Sequence, residues 1–215
     1  MDCIDITFDF ETVAVTANAA PMQLAAVAWD RTAKSHPRII LREFHSGIDL
    51  RSCVVNGYDF DQETLAWWMK QNEDVKVQVI SERTDWVGGV IDSFLEFISD
   101  LKKEFDTDTV YLWCQGADFD LPILKNICRK ENLSLPIHHK YFCDARSFVL
   151  QNAILLNPDN AEFRTEPNKV YDWIHPVPQS FCGDGMPHNA LFDCRRTTWN
   201  VWFIMQEVQS LLSSE

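Results

Sequence analysis

The stretch Ile4-Asp5-Ile6-Thr7-Phe8-Asp9-Phe10-Glu11-Thr12 decides the fold. Ile4, Ile6, Phe8 and Phe10 alternate with Asp5, Thr7, Asp9 and Glu11, the period-two pattern of a β-strand, so Asp9 and Glu11 stand side by side on one face. Carboxylates about 6 to 7 Å apart along a strand repel each other, and like charges at ~4 Å cost about 4 kcal/mol at an effective dielectric of roughly 20. No Lys or Arg occurs before Arg31 to offset them. A divalent cation, for which carboxylate oxygens are fitting hard ligands, is the natural counter-charge. The competing possibility is an edge strand with a solvated acidic face.

Outward from this strand, residues 21–29 and 38–45 read as two more, joined by a polar turn, which suggests an antiparallel meander. Residues 61–71 read as a helix with Asp59 or Asp61 as N-cap. Trp67 and Trp68 lie about 100° apart on it, so only one faces the core squarely. The stripe Trp86, Val90, Ile91, Phe94, Ile98 and Leu101 predicts a long core-facing helix over 85–105, loosened at Gly88-Gly89 by roughly 1 kcal/mol per Gly. Residues 109–114 are almost continuously apolar, as in a strand buried on both faces. Asp118-Phe119-Asp120-Leu121-Pro122 then opens a helix to about residue 131, with Pro122 harmless in its first turn. A short strand over 137–142, a helix from 144 through 153, an irregular stretch with five Pro over 156–187 and a closing helix over 189–212 complete the chain. So long an irregular stretch is more often functional than accidental.

A length of 215 residues suits one substantial α/β domain and is short for two. The seven Cys form no Cys-x-x-Cys pair, which suggests neither a disulfide framework nor a zinc ribbon and fits a reducing cytosol. No apolar run approaches the ~20 residues of a spanning helix, and no basic-then-apolar leader is present, so a cytoplasmic protein is expected. The net charge of −13 argues against holding nucleic acid by bulk electrostatics. That objection weakens if metal neutralises the carboxylates and Lys125, Arg129, Lys130, Lys140 and Arg146 gather near one cleft.

Acidic residues stand at three comparable positions: Asp9 and Glu11 on the first strand, Asp120 at a strand-to-helix turn, and Asp193 early in the last helix. Strand ends and helix starts converge on one rim of an α/β sheet. Taken alone, an Asp at a helix start is usually a cap or a dipole partner, the role expected of Asp118. His188, five residues before Asp193, would lie about 140° from it on an ideal helix. Both can address one site only if His188 sits on the loop ahead, with Asn189 as N-cap.

In order and local context, Asp9-Phe10-Glu11-Thr12, then Gly116-Ala117-Asp118-Phe119-Asp120-Leu121-Pro122-Ile123-Leu124, then His188-Asn189-Ala190-Leu191-Phe192-Asp193 resemble the three exonuclease motifs of the DEDD family with a histidine in the third motif. These are the proofreading-type 3′-to-5′ exonucleases, together with ribonuclease T and oligoribonuclease. The resemblance spans nearly the full chain, and Thr64-Leu65-Ala66-Trp67-Trp68 and Asp144-Ala145-Arg146 look like phage and bacterial single-domain members. Asp5 and Thr7 depart from the apolar lead-in of the first motif. The resemblance implies an α/β ribonuclease H-like fold, a mixed five-stranded sheet flanked by helices, in one exonuclease domain over 1–215. It implies hydrolysis of the 3′-terminal phosphodiester of single-stranded DNA or RNA with two Mg²⁺ or Mn²⁺ ions. Asp9, Glu11, Asp120 and Asp193 would be the metal ligands, Asp9 bridging, and His188 the general base. Phe10, Thr12, Asp144 and Arg146 are candidates for holding the substrate. The phage-like segments favour DNA, while RNA and a homodimer stay open.

Two rivals are a catalytically silent nucleic-acid-binding module on the same fold and a zinc protein using Cys143, Cys182, His188 and Cys194. The latter spacing matches no zinc pattern. Gly-x-Ser-x-Gly and a phosphate-cradling Gly-rich loop are both missing from the sequence, which excludes serine hydrolase and nucleotide triphosphatase classes.

Overall fold

Ile4–Thr12 form strand β1 in the middle of a sheet, with both faces covered. The computed structural model describes residues 1–80, 84–174 and 177–213. β1 pairs antiparallel with β2 (Pro21–Trp29), which pairs antiparallel with β3 (Ile40–Ile48). After helices α1 (Leu50–Val55), α2 (Gln62–Met69) and α3 (Glu73–Ile80), the two-residue β4 (Thr84–Asp85) adds parallel to β3. Helix α4 (Val87–Glu104) leads to β5 (Val110–Cys114), parallel to β1 on its other side. Helix α5 (Asp120–Lys130) precedes β6 (Phe142–Asp144), parallel to β5. Helices α6 (Ala145–Leu156), α7 (Glu162–Thr165), α8 (Pro167–Trp173), α9 (Gln179–Cys182) and α10 (Ala190–Ser213) follow.

The mixed sheet thus has six strands in the order β4-β3-β2-β1-β5-β6, one more than the five expected. The extra member is β4, whose two exposed residues are too few to carry a periodicity. The meander is present, but β3 starts two residues late because His36–Arg38 form a 3₁₀ turn. Another 3₁₀ turn, His139–Tyr141, replaces most of the strand expected over 137–142. Helices α1 and α3 went unread in the sequence, and the irregular 156–187 stretch holds α7, α8 and α9. Residues 175 and 176 of that stretch lie outside the described residues.

The alternation of β1 divides two cores. Ile4, Ile6, Phe8 and Phe10 pack with Phe94, Ile98 and Ile123 of α4 and α5 on one face. On the other face, Ala25, Val27 and Trp29 of β2 meet Val149 of α6 and Cys194, Val201 and Ile204 of α10. Trp86, assigned to the α4 stripe by periodicity, precedes the helix and is 46% exposed. A side chain at Gly88 would place its Cβ 2.6 Å from Glu131 Oε2, so the glycine permits a close approach of α4 to the end of α5.

Asp5 and Thr7 are fully buried instead of solvated. Arg31 donates to both Asp5 oxygens at 2.7 and 2.6 Å, Trp113 Nε1 donates to Asp5 Oδ1 at 2.6 Å, and Trp29 Nε1 donates to Thr7 Oγ1 at 3.1 Å. The first cation after the strand is therefore the partner of Asp5. Among the described residues, no helix is long and apolar enough to cross a membrane. Removing the cation would leave Asp5 buried and uncompensated, so Arg31→Ala should lower stability by about 3 kcal/mol. Urea denaturation checks this; a loss under about 1 kcal/mol would assign the pair no structural weight.

Candidate active site

Asp9 and Glu11 point to the α10 face of β1, and the register places Asp9 opposite Ala25 and Glu11 opposite Gln23. Both partners tie α10 down. Cys194 Sγ donates to Ala25 O at 3.3 Å, and the buried Gln23 accepts from Ala190 N through Oε1 at 3.3 Å. Small Ala25 lets the first turns of α10 approach the sheet, which brings Asp193 over Asp9 and Glu11. Asn189 Oδ1 accepts from Phe192 N at 3.2 Å, the N-cap expected, so His188 lies on the loop ahead of α10.

Carboxylate oxygens of Asp9, Glu11 and Asp193 all lie within 4.8 Å of one another. Among the described residues this is the one group of His, Cys, Asp or Glu side chains close enough to share an ion. Asp193 Oδ2 accepts from His188 N at 2.9 Å. Its buried Oδ1 accepts no hydrogen bond, although Arg196 Nη2 stands 2.9 Å away as an ion pair.

Asp120 is 2% exposed at the first residue of α5, and its Oδ1 accepts from Phe10 N at 3.1 Å. β5 pairs with β1 only as far as Thr7, so the carboxylate satisfies an amide that the sheet no longer covers. Asp118 is exposed and caps nothing, because Phe119 holds the N-cap position without a side-chain bond. Gly116 supports this turn with φ of 99°, a left-handed conformation suited to glycine.

These acids are crowded. Burial and then the charges of Asp120, Glu11 and Asp193 raise the Asp9 carboxyl well above the ordinary range. Burial, followed by Asp193 and Asp120, lifts Glu11 to about 8, and burial lifts Asp120 to about 7 against the Phe10 N–H. Asp193 is raised by burial, with Arg196 and His188 opposing.

His188 has a φ of 69°, a left-handed conformation unfavourable for a side chain with a Cβ. Its ring is edge-on to Trp67 with centroids 4.8 Å apart. Trp68 is the core-facing member of the tandem pair and donates from Nε1 to Thr12 O at 2.8 Å, while Trp67 is 41% exposed. Asp61, not Asp59, caps α2 by accepting from Thr64 N at 2.8 Å. A cleft of about 430 Å³ lies here, lined by Phe10, Glu11, Thr12, Thr64, Trp67 and Phe119 among others. Phe10 also packs edge-to-face on Phe8 in the core.

Asp144 caps α6 through Ser147 N and accepts from Ala117 N, each at 2.6 Å, bracing the Gly116 turn. Burial opposes ionisation there, but those amides hold the carboxyl below its usual range. Arg146 Nη2 donates to Gln115 O at 3.3 Å on the same turn. The other expected cations do not gather. Lys130 donates to Asn56 O and Gly57 O, Arg129 to Asn126, and Lys125 and Lys140 lie over the Phe142 and Tyr141 rings. Arg146 alone of them acts on a site acid, Asp120, and it is joined there by Arg196, which sequence reading missed although three residues from Asp193 is the same helix face.

A mixed sheet flanked by helices, carrying four crowded carboxylates and a loop histidine, defines a DEDD-type 3′-5′ exonuclease with a ribonuclease H-like fold. Residues 5–205 match the Rv2179c-like 3′-5′ exoribonuclease domain, and the chain belongs to that family. It is similar to an exodeoxyribonuclease of Enterobacteria phage T4, 27% identical over 199 residues that cover 89% of this chain and 85% of the phage protein. Among solved structures, cell-death related nuclease 4 (CRN-4) matches with a TM-score of 0.58 at 15% identity, over 99% of this chain but 65% of its own. The nuclease domain of 3′hExo, a DEDDh family member bound to rAMP, matches with a TM-score of 0.51 at 14% identity, over 96% and 92%.

Because these carboxyls bind protons more tightly folded than unfolded, their contribution to stability is greatest at low pH and falls as pH rises from about 4 toward the folded values near 7 and 8. In EDTA the melting temperature should therefore drop between pH 5.5 and 8.5, and Mn²⁺ should raise it more at pH 8.5. A metal-induced rise that is equal at both pH values, or absent from both, would contradict the crowding.

Proposed function

We propose that the protein removes nucleotides from the 3′ end of single-stranded nucleic acid as 5′-monophosphates, with DNA as substrate. The convergence of Asp9, Glu11 and Asp193 beside an aromatic cleft carries the proposal. The donors fit a divalent cation: all are hard oxygens, Asp193 Oδ1 lacks a hydrogen bond, and a positive charge would relieve the mutual repulsion. Asp9, Glu11 and Asp193 would hold one Mg²⁺ or Mn²⁺, and Asp120, whose charge acts on Asp9, would help hold a second. Bound there, such ions supply Lewis acidity, a more acidic water and charge neutralisation at the leaving oxygen.

The chain's own groups do the rest. Trp67 and Phe119 flank the terminal nucleoside, with Phe10 and Thr12 beneath it; ring contacts tolerate any base. His188 takes the proton of the attacking water on a ring nitrogen, its loop fixed through the Asp193 carboxylate. Arg146 meets the substrate backbone, and Asp144 sets the turn that carries Asp120. The phage T4 relative, named an exodeoxyribonuclease, supports DNA. The family's description as exoribonuclease supports RNA as the second reading, and matched DNA and RNA oligomers decide between them.

End-labelled oligomers with Mg²⁺ should lose mononucleotides stepwise, and EDTA should stop the loss. Asp9→Ala, Asp120→Ala and Asp193→Ala should each abolish release while circular dichroism stays native; retained activity removes that residue from the site. His188→Ala should slow turnover by roughly 10² to 10⁴, and a pH–rate profile of the unmodified enzyme that is flat from about 6 to 9 would count against its role as base.

A further inference from the structure

Arg196 stands about one turn beyond Asp193 on α10 and brings Nη2 within 2.9 Å of Asp193 Oδ1. That oxygen is buried and accepts no hydrogen bond, so the pair is held by charge and not by an aligned donor. Asp193 Oδ2, by contrast, accepts from His188 N at 2.9 Å. The Arg196 side chain is 45% exposed and that of Asp193 14%, which puts the guanidinium on the solvent side of the acids. Its charge opposes the rise of the Asp9, Glu11 and Asp193 carboxyls, while the cation that acts on Asp120 is Arg146.

A guanidinium cannot do here what a metal ion does. It is planar, donates at fixed angles and matches one carboxylate at a time, whereas oxygens of Asp9, Glu11 and Asp193 lie within 4.8 Å of one another, close enough for one small ion to touch all three. The three-residue spacing on the helix confines Arg196 to the Asp193 side of the group. Arg196 therefore offsets part of the negative charge from the rim and stands on one of the two oxygens that Asp193 can offer an ion. A cation among the acids and the guanidinium would also repel each other. Room to withdraw exists, because Arg196 lines two hollows of about 450 and 440 Å³, and Asn200, about one turn further along α10, lines the first.

We propose that Arg196 is a built-in competitor of the metal ion: it holds Asp193 Oδ1 in the metal-free protein and turns outward into these hollows when that carboxylate binds an ion. This rests on the metal-dependent function proposed above and deepens it by naming the residue that sets how tightly the ion is held. Two consequences follow from the exchange. Without metal, the acids keep one compensating charge and the fold tolerates their burial. With metal, part of the binding free energy goes into displacing Arg196, so the ion is held more loosely than the same carboxylates alone would hold it.

Calorimetric titration with Mn²⁺ at pH 8.5, without nucleic acid, tests this where proton competition for the raised carboxyls is weak. Arg196→Gln should bind Mn²⁺ roughly 5- to 30-fold more tightly than the unmodified protein, and Arg196→Lys, which keeps the charge, within about 3-fold of it. In EDTA the Gln variant should melt lower, and Mn²⁺ should raise its melting temperature further than that of the unmodified protein. A residue that only props up the fold would weaken binding when replaced. An Arg196→Gln affinity for Mn²⁺ that is weaker, or unchanged within about 3-fold, overturns the competition while leaving a metal-binding exonuclease standing. No Mn²⁺ binding by any of the three proteins overturns both. Should Arg196→Gln not fold, Mg²⁺ added to the unmodified protein should move the Arg196 Nε–H NMR signal, assigned by its loss in Arg196→Lys, toward that of a solvent-exposed arginine; a signal that Mg²⁺ leaves in place overturns the proposal.

Discussion

Burial of the carboxyls of Asp9, Glu11, Asp120 and Asp193, with the charges of their neighbours added at Asp9 and Glu11, is the constraint under which this structure is built. Their oxygens are brought together in surroundings that already penalise charge, so each carboxyl is raised and the folded chain opposes its own site. The surrounding fold has to over-determine the arrangement. Cys194 and Gln23 anchor α10 to β2, Phe10 N fixes Asp120, and Trp68 clamps α2 to the end of β1. A cation bound between the acids would convert this opposition into attraction, which couples metal affinity to stability.

The two acidic sites on β1 illustrate opposite solutions to one problem. Asp5 is buried with its oxygens satisfied by Arg31 and Trp113, and no capacity is left for a ligand. Asp9 and Glu11, four and six residues further along the same face, have only the charge of Arg196 to offset theirs, and Asp193 keeps an oxygen without a hydrogen bond. Saturation makes the first site structural. Deficit of positive charge makes the second able to hold ions.

Net acidity and an anionic substrate are reconciled by placement. Lys125, Arg129, Lys130 and Lys140 are engaged with carbonyls, an amide and aromatic rings, whereas Arg146 and Arg196 stand beside the carboxylates. Under the proposed function their fields would act on a strand passing the carboxylates, and they are screened within about 8 Å at physiological ionic strength. Steering at long range is therefore weak, and under the proposed function recognition falls to short-range contact.

Alternation along residues 4–12 determined by itself that Asp9 and Glu11 share a face, because strand periodicity is a local property of the chain. Helix α4 and the meander were legible for the same reason. Asp120, His188 and Asp193, by contrast, were joined to Asp9 and Glu11 only by the resemblance of three ordered motifs to an exonuclease family, and the packed structure brings Asp193 beside Asp9 and Glu11. Local pattern does not report which strand lies at an edge, so the burial of Asp5 and Thr7 and their pairing with Arg31 and Trp29 emerged only from the packed sheet. Strand β4 and the short helices α7 to α9 are too brief for a period to show, and long-range contacts fix them. The contact of Trp67 with His188 and that of Asp120 with Phe10 N join residues far apart in the chain, and tertiary structure alone decides such neighbours.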